Sequence, residues 1–182
     1  MEYIETRIKG VWLLEPRVFN DARGYFMETY RKEDFDEKIG KVDFVQDNES
    51  KSSYGVVRGL HYQRGTWSQA KLVRVTEGSV FDVAVDLRRS SDTFGQYVAF
   101  ELSAENKRQL FIPRGFAHGF AVMSETAVFT YKVDNIYMPS SEASICYDDS
   151  TIGVDWPISP EKMLLSSKDL NGVSFNDAEK FD

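Results

Sequence analysis

The sequence has one cysteine, two histidines and no long apolar run among its 182 residues. The lone Cys146 excludes an internal disulfide framework and a cysteine-rich zinc site, and it predicts a reducing, cytoplasmic compartment. No stretch approaches the roughly 18 apolar residues that a membrane-spanning helix needs. The opening segment MEYIETRIKG is charged and has no apolar centre, which predicts no secretory signal. Positive charge is scarce too: 22 Lys and Arg stand against 29 Asp and Glu, a net charge of -7. That balance argues against non-specific binding to nucleic acid or to an anionic membrane. A polyanionic ligand must then be held by a few placed cations. Linkers, low-complexity segments and internal repeats are absent, so residues 1–182 read as one domain. Hydrophobic residues make up 42% and aromatics 14%, which excludes a disordered acidic chain and supplies a core.

What is present is period-2 alternation. In Ser79–Leu87, SVFDVAVDL, the residues Phe81, Val83, Val85 and Leu87 share one face, and Asp82 and Asp86 share the other. This predicts a strand with one buried and one solvated face. Lys71–Val75, Tyr97–Leu102 and Phe129–Val133 alternate in the same way. Gly and Ser pairs punctuate these runs at Glu77-Gly78, Ser90-Ser91, Phe94-Gly95 and Ser140-Ser141. Closely spaced short strands predict an all-β antiparallel sandwich or barrel of jelly-roll type. Arg31–Ile39 reads as a helix with Phe35 and Ile39 on one face and Gly40 as its stop. A second short helical turn is expected after Ser159 or Ser167. The aromatic-rich segment Val11–Tyr30 reads as a section that pairs elsewhere.

The two histidines are His61, in VRGLHYQ, and His118, in PRGFAHG. A lone histidine is more often structural than catalytic, so the surroundings decide. The second segment resembles the P-x-G-x-x-H-G motif of the cupin superfamily, in which a tight turn leads a His into a barrel. Metal-binding cupins offer H-x-H in their first motif. Here that stretch is His61-Tyr62-Gln63, and a neutral amide is a poor transition-metal ligand beside two histidines. A metal-free barrel using His as a proton carrier fits better. Such a base needs a carboxylate to fix its tautomer, and spacing does not choose among Asp47, Asp82, Asp148 and Asp169. Lys71 shares strand parity with Val73 and Val75, which aims a lysine at the apolar face, a costly placement unless it is used. Tyr131 shares parity with Phe129 and Val133. Arginines suit phosphates through their planar forks, and Arg23 and Arg58 stand in Gly-containing segments. A regular strand sets Arg58 and His61 on opposite faces, unless Gly59 hosts a bulge.

Eight blocks in order carry a resemblance that spans about Val11 to Asp169: EPRVF, DARGYFME, FVQDN, RGLHYQ, KLVR, PRGFAHGF, PSSE and SSKD. Together they resemble the dTDP-4-dehydrorhamnose 3,5-epimerase family, the dTDP-sugar epimerases of the cupin superfamily. The resemblance implies a jelly-roll homodimer without metal or cofactor. Its N-terminal strands, about residues 1–30, are implied to swap between subunits. The implied reaction inverts C3 and C5 of dTDP-4-keto-6-deoxy-D-glucose and gives dTDP-4-keto-L-rhamnose. By resemblance His61 is the base, Asp169 its orienting carboxylate, Lys71 the group near the C4 carbonyl and Tyr131 the acid on the opposite face. Arg23, Phe26, Glu28, Gln46, Asp47, Asn48, Arg58, His118, Glu142 and Lys168 are the implied substrate-binding positions. Tyr62 and Ala22 depart from the usual residues, and the tail from Asn171 carries no signal. Rival readings are a C3-only or C5-only epimerase, a sugar 3,4-ketoisomerase, a metal-dependent cupin oxygenase and a non-catalytic nucleotide-sugar binder.

Overall fold

The computed structural model describes residues 1–182 throughout. Thirteen strands, paired antiparallel, are joined by two short α-helices. One sheet has six strands in the order β1 (Glu2–Glu5), β2 (Trp12–Glu15), β10 (Gln109–Ile112), β7 (Lys71–Glu77), β12 (Thr126–Val133) and β5 (Gln46–Ser53). The other has five in the order β13 (Glu142–Ser144), β6 (Val57–Gln63), β11 (Phe116–Val122), β8 (Ser79–Asp86) and β9 (Tyr97–Ser103). A separate hairpin, β3 (Val18–Asp21) with β4 (Gly24–Met27), joins neither sheet. The architecture is the expected mainly-β sandwich. No helix is long and apolar enough to cross a membrane.

Alternation explains the core. Val73, Val75, Leu110, Ile112 and Phe129 from the first sheet meet Val80, Ala84, Val98, Leu102, Phe116 and Phe120 from the second. Each sheet is also covered on its outside. Helix α1 (Lys32–Lys38) sets a fully buried Phe35 against Leu14, Leu72 and Phe111 on the outer face of the six-stranded sheet. The Phe35 ring stands edge-on to Phe111 at 5.1 Å and to Phe44 at 5.6 Å. Gly40 follows that helix at φ +127°, the conformation a terminating glycine supplies.

The expectation for β8 is overturned. Asp82 and Asp86 are both fully buried, as are Val83 and Val85 on the other face. The Asp82 face looks into the sandwich, where Val80 and Ala84 belong to the core. The opposite face is covered by Ile145, Ile152, Phe175 and Ala178 from the C-terminal third. Asp86 is tied off by Arg88, Ser91 and Thr93. The tail after Asn171, which carries no signal in the sequence, is thus part of the fold. Tyr62 fixes it by donating its hydroxyl hydrogen to the Glu179 carbonyl at 2.9 Å.

Candidate active site

A cavity of about 500 Å³ opens between the sheets. Strands from both walls feed it: Arg58 and His61 from β6, His118 from β11 and Glu142 from β13 on one side, Lys71 from β7 and Tyr131 from β12 on the other. Helix α2 (Ser167–Leu170) closes one end with Lys168 and Asp169.

Gly59 makes the first cluster possible. His118 stands opposite His61, yet Phe120 stands opposite Arg58, so β6 carries one extra residue against β11. This bulge brings Arg58 and His61, three residues apart, into the same cavity. Gly59 sits at φ +139°, and a Cβ there would lie 2.5 Å from the Gly119 Cα. Its N–H donates to Asp169 Oδ1 at 3.0 Å.

Asp169 is 3% exposed and faces donor groups from two segments, β6 and the residue that caps α2. Its Oδ2 accepts from the Ser166 N–H at 3.0 Å and the Ser166 hydroxyl at 2.5 Å, forming a capping box on α2. Its Oδ1 lies 2.9 Å from His61 Nε2, a close approach whose angle falls short of a well-aligned hydrogen bond. Burial opposes ionisation of this carboxyl, but His61, Ser166 and Gly59 outweigh it and hold it well below the usual carboxylate range.

A second imidazole–carboxylate pair lies deeper. His118 Nε2 sits 2.9 Å and 3.1 Å from the two oxygens of Asp82, and its ring stacks on Phe129 at 5.9 Å. Burial lowers the His118 pKa, and the neighbouring Asp82 offsets part of the drop. Burial also brings Lys71 down to about 8, against the opposing pull of Asp82 and Glu142. Burial raises Tyr131, with Arg58 acting the other way. Arg58 itself is steadied by Ser52 Oγ at 3.1 Å. At the mouth, Glu142 accepts from Lys168 at 2.7 Å and from the Tyr137 hydroxyl at 2.9 Å.

Not every expected residue reaches this cavity. Arg23, Phe26 and Glu28 lie on or just after the separate hairpin. Arg23 pairs with Asp21, Glu28 pairs with Arg31, and Phe26 is 70% exposed. Gln46 and Asn48 face inward on β5 and bond to each other at 2.7 Å, but they do not line the cavity. Asp47 alternates to the outer face and pairs with Lys132 at 2.9 Å, so within one chain it is not a cavity residue. Gln63 donates to the Trp67 and Ile136 carbonyls and accepts from the Met138 N–H, which makes it a loop clamp. Of the four carboxylates that spacing left open, Asp82 partners His118 rather than His61, while Ser50, Ser52 and Tyr137 are residues in or supporting the site that sequence reasoning missed. The alternation of Ser50 and Ser52 with Glu49 and Lys51 was the available signal for two of them.

This arrangement has close relatives. A family model described as dTDP-4-dehydrorhamnose 3,5-epimerase matches residues 5–177. The chain belongs to that family. It is accordingly an isomerase, of the carbohydrate-epimerase type. The dTDP-4-dehydrorhamnose 3,5-epimerase of Salmonella typhimurium is 59% identical over 172 residues, covering 93% of this chain and 92% of the relative. The crystal structure of the enzyme of that name from Elizabethkingia anophelis NUHP1 superposes with a TM-score of 0.94 at 55% identity, covering 97% of both chains. A Legionella pneumophila dTDP-6-deoxy-D-glucose-3,5-epimerase, solved in complex with dTDP-4-keto-L-rhamnose, also gives 0.94, at 47% identity over 98% of this chain and 94% of that one.

Proposed function

We propose that the cavity epimerises dTDP-4-keto-6-deoxy-D-glucose at C3 and C5 to dTDP-4-keto-L-rhamnose, for dTDP-L-rhamnose synthesis. The observation that carries this reading is the placement of His61 and Tyr131 on opposite sheets across one cavity. Inversion requires a proton to leave one face of the carbon and another to arrive on the opposite face. A sugar ring held between the sheets meets each group from its own side.

The C4 ketone acidifies the hydrogens on both C3 and C5, so one base serves both after a small shift of the ring. His61 takes the proton on the ring nitrogen turned away from Asp169, and the carboxylate stabilises the resulting imidazolium. Charge develops on O4, where Lys71 donates. A placed donor of this kind contributes about 3 kcal/mol to lowering the barrier. Tyr131 returns a proton from the other face. Arg58 and Lys168 are the cations in reach of a diphosphate, and binding of the nucleotide keeps the small sugar in register. Arg23, Phe26 and Glu28 serve the neighbouring site of a homodimer. The separate hairpin, with Phe19, Tyr25 and Phe26 exposed, supports that assignment.

Proton NMR of dTDP-4-keto-6-deoxyglucose incubated with the protein in D2O tests the reading. Deuterium entering at both C3 and C5, with rhamno-configured product trapped by a reductase, supports it. Entry at one carbon makes the protein a mono-epimerase, and entry at neither removes the assignment.

A further inference from the structure

Asp82 is a fully buried carboxylate that the proposed reaction does not use. Its neighbours on the same face of β8, Val80 and Ala84, belong to the apolar core. Packing alone would continue that row with another apolar side chain, because withdrawing a carboxylate from water is costly without partners. Its one hydrogen-bonding partner is His118, which reaches both carboxylate oxygens through Nε2. His118 lines the cavity, and its Nδ1 makes no hydrogen bond within the chain. Lys71 feels Asp82 as the largest of its favourable charges.

We propose that Asp82 is a positioning residue of this cavity, holding the His118 imidazole in one tautomer and setting a buried negative charge behind the wall that carries Lys71. With Nε2–H given to Asp82, a neutral His118 presents the lone pair of Nδ1 to the cavity, as an acceptor for a sugar hydroxyl. Lys71 beside it presents donors only. Asp82 thereby divides the inner wall into an accepting and a donating point. That division orients a keto sugar that carries a carbonyl and a hydroxyl on adjacent carbons. The titratable groups coupled to Lys71 are Asp82 on β8, Glu142 on β13 and His118 on β11. Of these, Asp82 and Glu142 favour the ammonium, and Asp82 is the stronger. The link to catalysis rests on the proposed epimerase reading, whereas the hold on the two side chains does not.

The test compares wild type with Asp82→Asn and Asp82→Leu. The chain has two histidines, so 15N NMR of the imidazoles is assigned with one His61→Asn variant. Lys71 is followed through 13C-labelled lysine, assigned with Lys71→Met. In Asp82→Asn the amide oxygen still accepts Nε2–H, so the tautomer stays. The Lys71 midpoint falls from near 8 by about one pH unit or more, and the basic limb of kcat/KM moves down with it. In Asp82→Leu the Nε2–H tautomer of His118 loses its preference as well. Loss of packing alone would move neither titration. Midpoints and tautomer unchanged in both variants would overturn the proposal. The NMR readouts need no substrate. If the wild type exchanges no substrate proton while these shifts appear, the role of Asp82 stands and the epimerase reading falls. Should Asp82→Leu fail to fold, the near-isosteric Asn variant carries the Lys71 test.

Discussion

Replacing Asp169 by Asn separates the capping role of this residue from its role beside His61. The carboxylate has two distinct oxygens. Oδ1 faces His61 and the Gly59 N–H, while Oδ2 faces the Ser166 N–H and hydroxyl. An amide keeps one oxygen and turns the other into a donor. On the Oδ1 side, the NH2 meets the Gly59 N–H and the imidazole, with no acceptor ready to take it. On the Oδ2 side, it meets the Ser166 N–H but finds Ser166 Oγ as an acceptor. The second orientation is therefore favoured, and the oxygen stays beside His61. The tautomer survives and the negative charge does not. A charge-assisted hydrogen bond is worth about 1.5–3 kcal/mol, so kcat should fall by about ten- to a hundredfold. Were the amide reversed, the wrong tautomer would be selected and the loss would approach about ten thousandfold. The broken capping box costs stability, about 1 kcal/mol. Deuterium incorporation at C3 and C5 gives the rate, and urea unfolding gives the stability. The folded carboxyl is held below its ordinary pKa, so its contribution is complete above about pH 4 and fades as the medium becomes more acidic. The stability gap between variant and wild type should narrow steadily in acid. A loss of kcat under threefold, or a gap that fails to narrow between about pH 5 and pH 2, would refute the reasoning.

Tyr131→Phe should slow deuterium entry by about a hundredfold, and more at one carbon than at the other; equal loss at both would remove its role as a face-specific acid. Lys71→Met should lower kcat by roughly a hundredfold or more. It should also abolish the fall in wild-type activity expected above about pH 8, and a basic limb that persists in the variant would assign that limb to another group. Gly59→Ala forces a side chain onto φ +139° and into the Gly119 backbone. Unfolding free energy should drop by about 3 kcal/mol or more, and a melting temperature within a degree or two of wild type would contradict that.

The strands that alternation marks are present: β7, β8, β9 and β12 lie where the pattern sets them. The helix carrying Phe35 and the turns at Pro160–Lys162 and Ser167–Leu170 also fall in place. The strands without apolar–polar alternation are the ones the pattern does not reach. β10 and β11 are buried along their whole length, and β5 is polar on both faces, QDNESKSS. Periodicity reports which residues share a face and says nothing of what lies against it. The two aspartates of β8 therefore read as a solvated face, because the covering layer comes from Ile145 to Ala178, far along the chain. The same limit applies to the site. Parity aims Lys71 and Tyr131 inward, and they line the cavity. The carboxylate beside His61 comes from a four-residue helix 108 positions further on, a pairing that only a long-range fold or a family resemblance supplies.

The sandwich and the proposed chemistry share one geometric demand. Inverting a carbon needs groups on both of its faces, and a two-layer β structure presents inward side chains from two opposed walls. His61 and Tyr131 occupy those walls, on β6 and β12. Burial between the sheets strengthens every interaction there, and it also discharges the groups that must be charged. Lys71 shows the tension directly, since burial has brought it down to about 8. Carboxylates stand against the basic groups of the cavity: Asp169 beside His61, Asp82 on His118 and acting on Lys71, and Glu142 on Lys168. A net charge of -7 is thus compatible with an anionic ligand. The cations that matter are few: Lys71 and Lys168 each have a carboxylate favouring the charged form, and Arg58 needs none.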